Sequence, residues 1–257
     1  MTVALVCAME SEAVHLRRRL TETSEIGLSR WRRTRGRLGD VTVDLVVSAI
    51  GMVNAAAATA TLCALDPPSA LFNYGCSGAH REDLDAGDVI IADQVVHFSA
   101  QIVLPDGQRQ YMGFDYWRGE TRVQTETIAA DPALLDLAQR MAERALLPNW
   151  PGVGQMPRVV TGVVASADVW TQHGESIRTL HDLHGSLCEE MEAAAIAQVA
   201  AIHGIPFLAV KDISNNELQK ATLAEEGRRW PSLEDHAEQL GLRAALVVEA
   251  TIGVLKG

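Results

Sequence analysis

Cysteine is scarce in this chain: four in 257 residues (Cys7, Cys63, Cys76 and Cys188), scattered and with no CxxC pair. That excludes a disulfide framework and reads as reduced thiols of a cytoplasmic protein. Aromatic residues are few, at 5%. Positive charge is short as well, with 22 Lys and Arg against 33 Asp and Glu. A surface with that balance repels a phosphate backbone, so no nucleic-acid partner is expected. No apolar run is long enough to cross a bilayer, and Met1 leads straight to Glu10 and Glu12 with no basic segment and no cleavage site, so no membrane partner is expected either.

What is present is an alternation of short apolar runs with helical patterns. Strands are predicted at Val3–Met9, Val41–Ile50, Ala70–Tyr74, Val89–Val96, Arg158–Ala165 and Pro206–Ile213. Several are almost continuously apolar, as strands covered on both faces are. Helices are predicted at Glu12–Leu20, Val53–Ala64, Glu190–His203 and Ser232–Leu255, the last capped by Ser232. A further helix, Pro132–Leu147, has Asp131 as its N-cap and Pro132 at its first position. The pattern implies one α/β domain over residues 1–257, with a largely parallel sheet wrapped by helices. The least regular stretch is Ser99–Glu126, with a turn at Pro105-Asp106-Gly107.

Four segments concentrate polar residues where such a sheet binds ligands, beyond the carboxyl ends of its strands. Glu10 and Glu12 follow the first strand; taken alone, an acidic first helical turn is the simpler account. Asn73–Ala79 runs from a strand into a small-residue turn whose amides could bind an oxygen. Glu189-Glu190-Met191-Glu192 sets three carboxylates at a helix start, where one could accept both hydroxyls of a vicinal diol. Lys211–Asn216 follows a buried strand, although an Asn-rich turn explains it equally. His181 and His184 read as loop residues with no further ligand set, so no metal site is expected. Arg17–Arg19 and Arg32-Arg33 read as solvated surface.

In order and spacing, Val3–Glu12, Ser48–Ala55, Gly75–Ala79, Ala86–Ile90, Ala165–Trp170, Glu190–Ala197 and Ile213–Asn215 resemble the 5′-methylthioadenosine/S-adenosylhomocysteine nucleosidases of the nucleoside phosphorylase superfamily. The resemblance spans nearly the whole chain and is weakest across Ser99–Val153. It implies a three-layer αβα sandwich with a mixed, partly barrel-like central sheet, a homodimer, and no cofactor. The implied reaction is cleavage of the N-glycosidic bond of a purine nucleoside to release the free base. By position, Glu12 would be the general base and Glu192 would hold the ribose hydroxyls, with Met191 packed on the sugar. Trp170 would stack on the purine, where the family usually has Phe. Glu190 and the backbone near Thr171 would lie by the base, and Cys76, Ser77 and Ser214 would line the site.

Two positions depart from the family. Cys76 stands where a hydroxyl residue is common. Asn215 stands where these nucleosidases have an Asp that protonates purine N7, and an amide is no acid; it suits a 6-oxopurine such as that of futalosine. Phosphorylases of the superfamily bind phosphate at the turn after the first strand, where this chain carries Glu12. That favours water over phosphate as the nucleophile. The 5′ end of the substrate is expected near Ser99–Tyr116, some of it from a partner subunit.

Overall fold

The computed structural model describes residues 1–229 and 233–255. The chain begins β1 (Thr2–Cys7), α1 (Glu10–Arg17), β2 (Thr21–Leu28), β3 (Trp31–Leu38), β4 (Val41–Val47) and α2 (Met52–Leu65). Strands β5 (Ala70–Ala79) and β6 (Val89–His97) follow. Four short strands come next: β7 (Gln101–Val103), β8 (Arg109–Tyr111), β9 (Phe114–Arg118) and β10 (Thr121–Thr125). Then come β11 (Thr127–Ala129), α3 (Pro132–Ala142), β12 (Val159–Ser166), α4 (Gly174–His184) and β13 (Ser186–Glu190). The chain closes with α5 (Ala193–His203), β14 (Phe207–Asn215), α6 (Glu217–Glu225), a 3₁₀ segment Glu234–Gln239, and α7 (Leu242–Ile252).

Strand β1 shows why the sheet is buried on both sides. Ala4 and Val6 enter one core with α2 and α5, while Val3, Leu5 and Cys7 enter the other with α1, α3 and α7. Successive side chains point to opposite faces, so a strand between two helical layers must be apolar throughout. These layers make the three-layer αβα sandwich. β1 lies parallel between β4 and β5, and the hairpin β2–β3 extends the edge antiparallel to β4. At the other end β5, β14, β6, β12 and β13 pair in sequence and β13 returns to β5, which closes a small barrel. The sheet is mixed rather than largely parallel, since β14–β6 and β13–β5 run antiparallel.

Several local expectations hold. Asp131 Oδ1 accepts from the N–H groups of Ala133 and Leu134 at 3.0 Å each, capping α3 as read from the sequence. Pro105-Asp106-Gly107 turns the β7–β8 hairpin. Others need correction. Gly75–Ala79 is a continuation of β5 rather than a turn, because β14 and β13 pair with it there. Ser186–Glu190 is a strand, so helix α5 starts only after Glu192. His181 and His184 belong to the last turn of α4 rather than to a loop. The β2–β3 hairpin was not foreseen, and Arg33 is buried there, its Nη1 at 3.1 Å from Asp66 and 3.5 Å from Asp44. Ser232, read as the closing cap, lies outside the described residues, and the helix itself begins at Leu242.

Candidate active site

Glu12 sits in the first turn of α1, and its carboxylate is turned back into the protein. Oε2 accepts from the N–H groups of Ala8 at 3.1 Å and Met9 at 3.0 Å, and Oε1 from Cys76 at 2.9 Å. Three backbone amides thus converge on one carboxylate, an anion-binding nest filled by the protein's own side chain. Space for it depends on glycine: a Cβ at Gly75, whose φ is +156°, would collide with the Glu12 carboxylate. Burial raises the Glu12 carboxyl above its ordinary value, against the pull of Lys211 and the amides.

Glu192 approaches from the other half of the chain, at the N-cap of α5. Its Oε1 accepts from the N–H of Gly51 at 2.8 Å, and among the described residues none donates to Oε2. Burial, reinforced by neighbouring Glu190, pushes its carboxyl up to about 8. Glu12, Glu192 and Met191 line one cavity of about 170 Å³, together with Cys76, Ser77, Trp170, Glu190, Ser214 and Asn215. Trp170 is 54% exposed at its edge, an aromatic face left uncovered by the protein. A cleft of about 630 Å³ opens on the far side of Ser214, but neither Glu12 nor Glu192 reaches it.

Two expected contacts have other duties. The Glu190 carboxylate lines the cavity and is also bound by the protein itself. It accepts from the N–H groups of Glu192 and Ala193 and from Ser166 Oγ, and pairs with Lys211 Nζ at 2.7 Å. Thr171 is turned from the cavity: its N–H and hydroxyl both donate to Glu189, at 2.6 and 2.8 Å, and Glu189 also meets buried His80 at 3.2 Å. Thr171 lines instead an adjoining cavity of about 490 Å³, with Ser99, Gln101, Arg109 and Tyr111. Burial and the Glu12 charge hold the Cys76 thiol well above its ordinary range, which disfavours the thiolate.

Lys211 and Asp168 were not assigned roles by the sequence. Lys211 is 1% exposed. Burial alone would lower its ammonium, but the facing carboxylates of Glu190, Glu192 and Glu12 outweigh that and keep it charged. It is the counter-ion beneath the cavity. Asp168 Oδ1 accepts from Met52 N–H at 2.7 Å and so ties the Trp170 loop to the start of α2. The one available signal was the absence of a side-chain cap at Gly51. Of the two adjacent asparagines, Asn216 caps α6, as an Asn-rich turn would, whereas Asn215 lines the cavity. Asp212 points the other way, accepting from the N–H groups of Gly241 and Arg243.

The family model of the phosphorylase superfamily matches residues 2–252. A 5′-methylthioadenosine/S-adenosylhomocysteine nucleosidase of a Geobacillus species (strain WCH70) is 31% identical over 84% of this chain and 85% of its own length. The enzyme of that name from Geobacillus thermodenitrificans is 29% identical over 97% of this chain and 98% of its own. Among solved structures, the Neisseria meningitidis nucleosidase in complex with methylthio-immucillin-A superimposes with a TM-score of 0.78 at 25% identity, covering 99% of both chains. The match runs through every segment that builds the carboxylate-lined cavity, and the chain belongs to the 5′-methylthioadenosine/S-adenosylhomocysteine nucleosidase family of the phosphorylase superfamily.

Proposed function

We propose that this chain hydrolyses the N-glycosidic bond of a purine nucleoside of the 5′-methylthioadenosine/S-adenosylhomocysteine type, releasing the free base with water as nucleophile. The observation that carries the reading is the Glu12 carboxylate seated in its three-amide nest on the same cavity as Glu192. A phosphate dianion would have to displace or approach that carboxylate, whereas a water can donate a hydrogen bond to it. Glu12 then takes a proton from the attacking water as the base departs as its anion, which accepts a hydrogen bond from the Asn215 N–H and takes up its proton from solvent. The unpartnered oxygen of Glu192 receives the ribose hydroxyls, and both carboxylates stabilise the positive charge that develops on the sugar. Met191 packs against the sugar, Trp170 stacks on the purine, and Asn215 and Ser214 meet its edge.

Asn215 supports a second reading, a 6-oxopurine nucleoside, because no acidic proton is available at residue 215 to protonate N7. The discriminating assay is base release from 5′-methylthioadenosine, S-adenosylhomocysteine, inosine and futalosine. Adenine release from the first two is the expected result; turnover of the 6-oxo pair alone would replace the first reading by the second. No release from any of the four would refute both. The proposal includes a homodimer, supported by Ile102, Val103 and Met112 standing exposed on or beside the β7–β8 hairpin at the rim of the adjoining cavity. Sedimentation equilibrium giving the mass of one chain would remove that part.

A further inference from the structure

Glu217 is 8% exposed and has no part in the chemistry above. It opens α6, and its Oε1 accepts from Asn215 Nδ2 at 3.2 Å while its Oε2 pairs with Lys220 Nζ at 3.3 Å. The other end of the Asn215 amide is also held, since Oδ1 accepts from Ser214 Oγ at 2.9 Å. A hydroxyl can donate or accept, so Ser214 would serve either end of an amide. An ionised carboxylate offers only acceptors. With the amide flipped, Oδ1 would face a carboxylate oxygen in a buried site, so Glu217 decides which end points where.

The direction matters because the two purine classes require opposite ends. A 6-aminopurine presents an acceptor at N7 and a donor at C6. A 6-oxopurine leaving with N7 protonated presents a donor at N7 and an acceptor at C6. One amide satisfies the first with its N–H at N7 and its carbonyl at C6, and the second only when reversed. Strand β5 closes one side of the amide, since a Cβ at Gly78 would lie 3.2 Å from Asn215 Nδ2.

We propose that Glu217 is a positioning residue that locks the Asn215 amide in one of its two flips and thereby confines the site to one purine class. This rests on the nucleosidase reading above. The test compares kcat/KM for 5′-methylthioadenosine and 5′-methylthioinosine, which differ at C6 and in the N1 proton that the 6-oxo form carries, in the wild-type chain, Glu217→Gln and Glu217→Ala. A locked amide should give the wild type at least about a hundredfold preference. Glutamine can donate to Oδ1, so both flips become tolerable, and the preference should fall to about tenfold or less as the disfavoured substrate gains. Alanine should move the ratio the same way. A purely structural defect would slow both substrates alike and leave the ratio in place. The proposal is overturned if the wild type does not discriminate, or if both variants keep its ratio within about twofold. Failure of the wild type to release base from either nucleoside would instead refute the nucleosidase reading itself.

Discussion

Replacing Glu12 by glutamine should separate catalysis from folding. The amide has the shape of the carboxylate but must set an NH₂ group where one oxygen now accepts. Turned toward Cys76, it keeps the bonds from Ala8 and Met9 N–H and forfeits the single 2.9 Å bond from Cys76 N–H. Leaving one buried donor unsatisfied costs about 1–3 kcal/mol. Against this, the substitution removes a charge whose burial is itself unfavourable, as the raised carboxyl of Glu12 indicates. The two effects offset, so the thermal midpoint should move by no more than about 5 °C in a chain of this size. Loss of a general base costs about 10²- to 10⁴-fold in turnover. Base release followed by chromatography, with calorimetric titration of a non-hydrolysable nucleoside analogue, reads both quantities. Activity within about tenfold of wild type, in a protein that melts and binds normally, would show that Glu12 is not the base.

Other outcomes follow from the same geometry. Glu192 must be ionised to accept from two hydroxyls; with its carboxyl near 8 in the free enzyme, kcat/KM should climb with pH and level off above about 8. A flat profile from pH 6 to 9 would contradict that. The same shift makes a stability statement. The folded state holds the Glu192 proton more tightly than the unfolded chain does, so this contribution is complete below the ordinary value of 4.5 and gone once pH passes about 8. Glu192→Gln should therefore lose less thermal stability than wild type between pH 5 and pH 9, and an equal loss in the two proteins would refute the assignment. Trp170→Ala, at an exposed position, should raise KM by about tenfold with little change in melting temperature, because one stacked face is worth about 1–3 kcal/mol. Asn215→Asp should move preference toward 6-aminopurine nucleosides by restoring an acid at N7, and an unchanged ranking of the substrate panel would defeat that role.

The legible parts of the fold were those where a local pattern has one physical solution. A continuous apolar run such as Val3–Cys7 can only be a strand between two layers, and Asp131-Pro132 can cap and start a helix without help from elsewhere. The misread parts depend on distant partners. Glu189-Glu190 looks like a helix start but ends a strand paired with β12 and β5, and Gly75–Ala79 has turn-like residues but pairs with β14. Arg33 looks like a surface residue until Asp44 and Asp66, each more than ten positions away, are folded beside it. The candidate site divides in the same way. Glu12 and Glu192 were legible through the family resemblance, which links segments that no local reading could join. Lys211, Asp168 and Glu217 act through groups brought to them by the fold, and the hold of Glu190 on Lys211 and the start of α5 is likewise invisible in sequence.

The role of the Glu12 nest is tested most directly by the fate of the sugar when purified protein turns over 5′-methylthioadenosine with and without inorganic phosphate. A carboxylate already occupying three backbone amides leaves that place to water, so base and free reducing sugar should form in equal amounts at a rate indifferent to phosphate. Release that requires phosphate and yields the sugar 1-phosphate would contradict it.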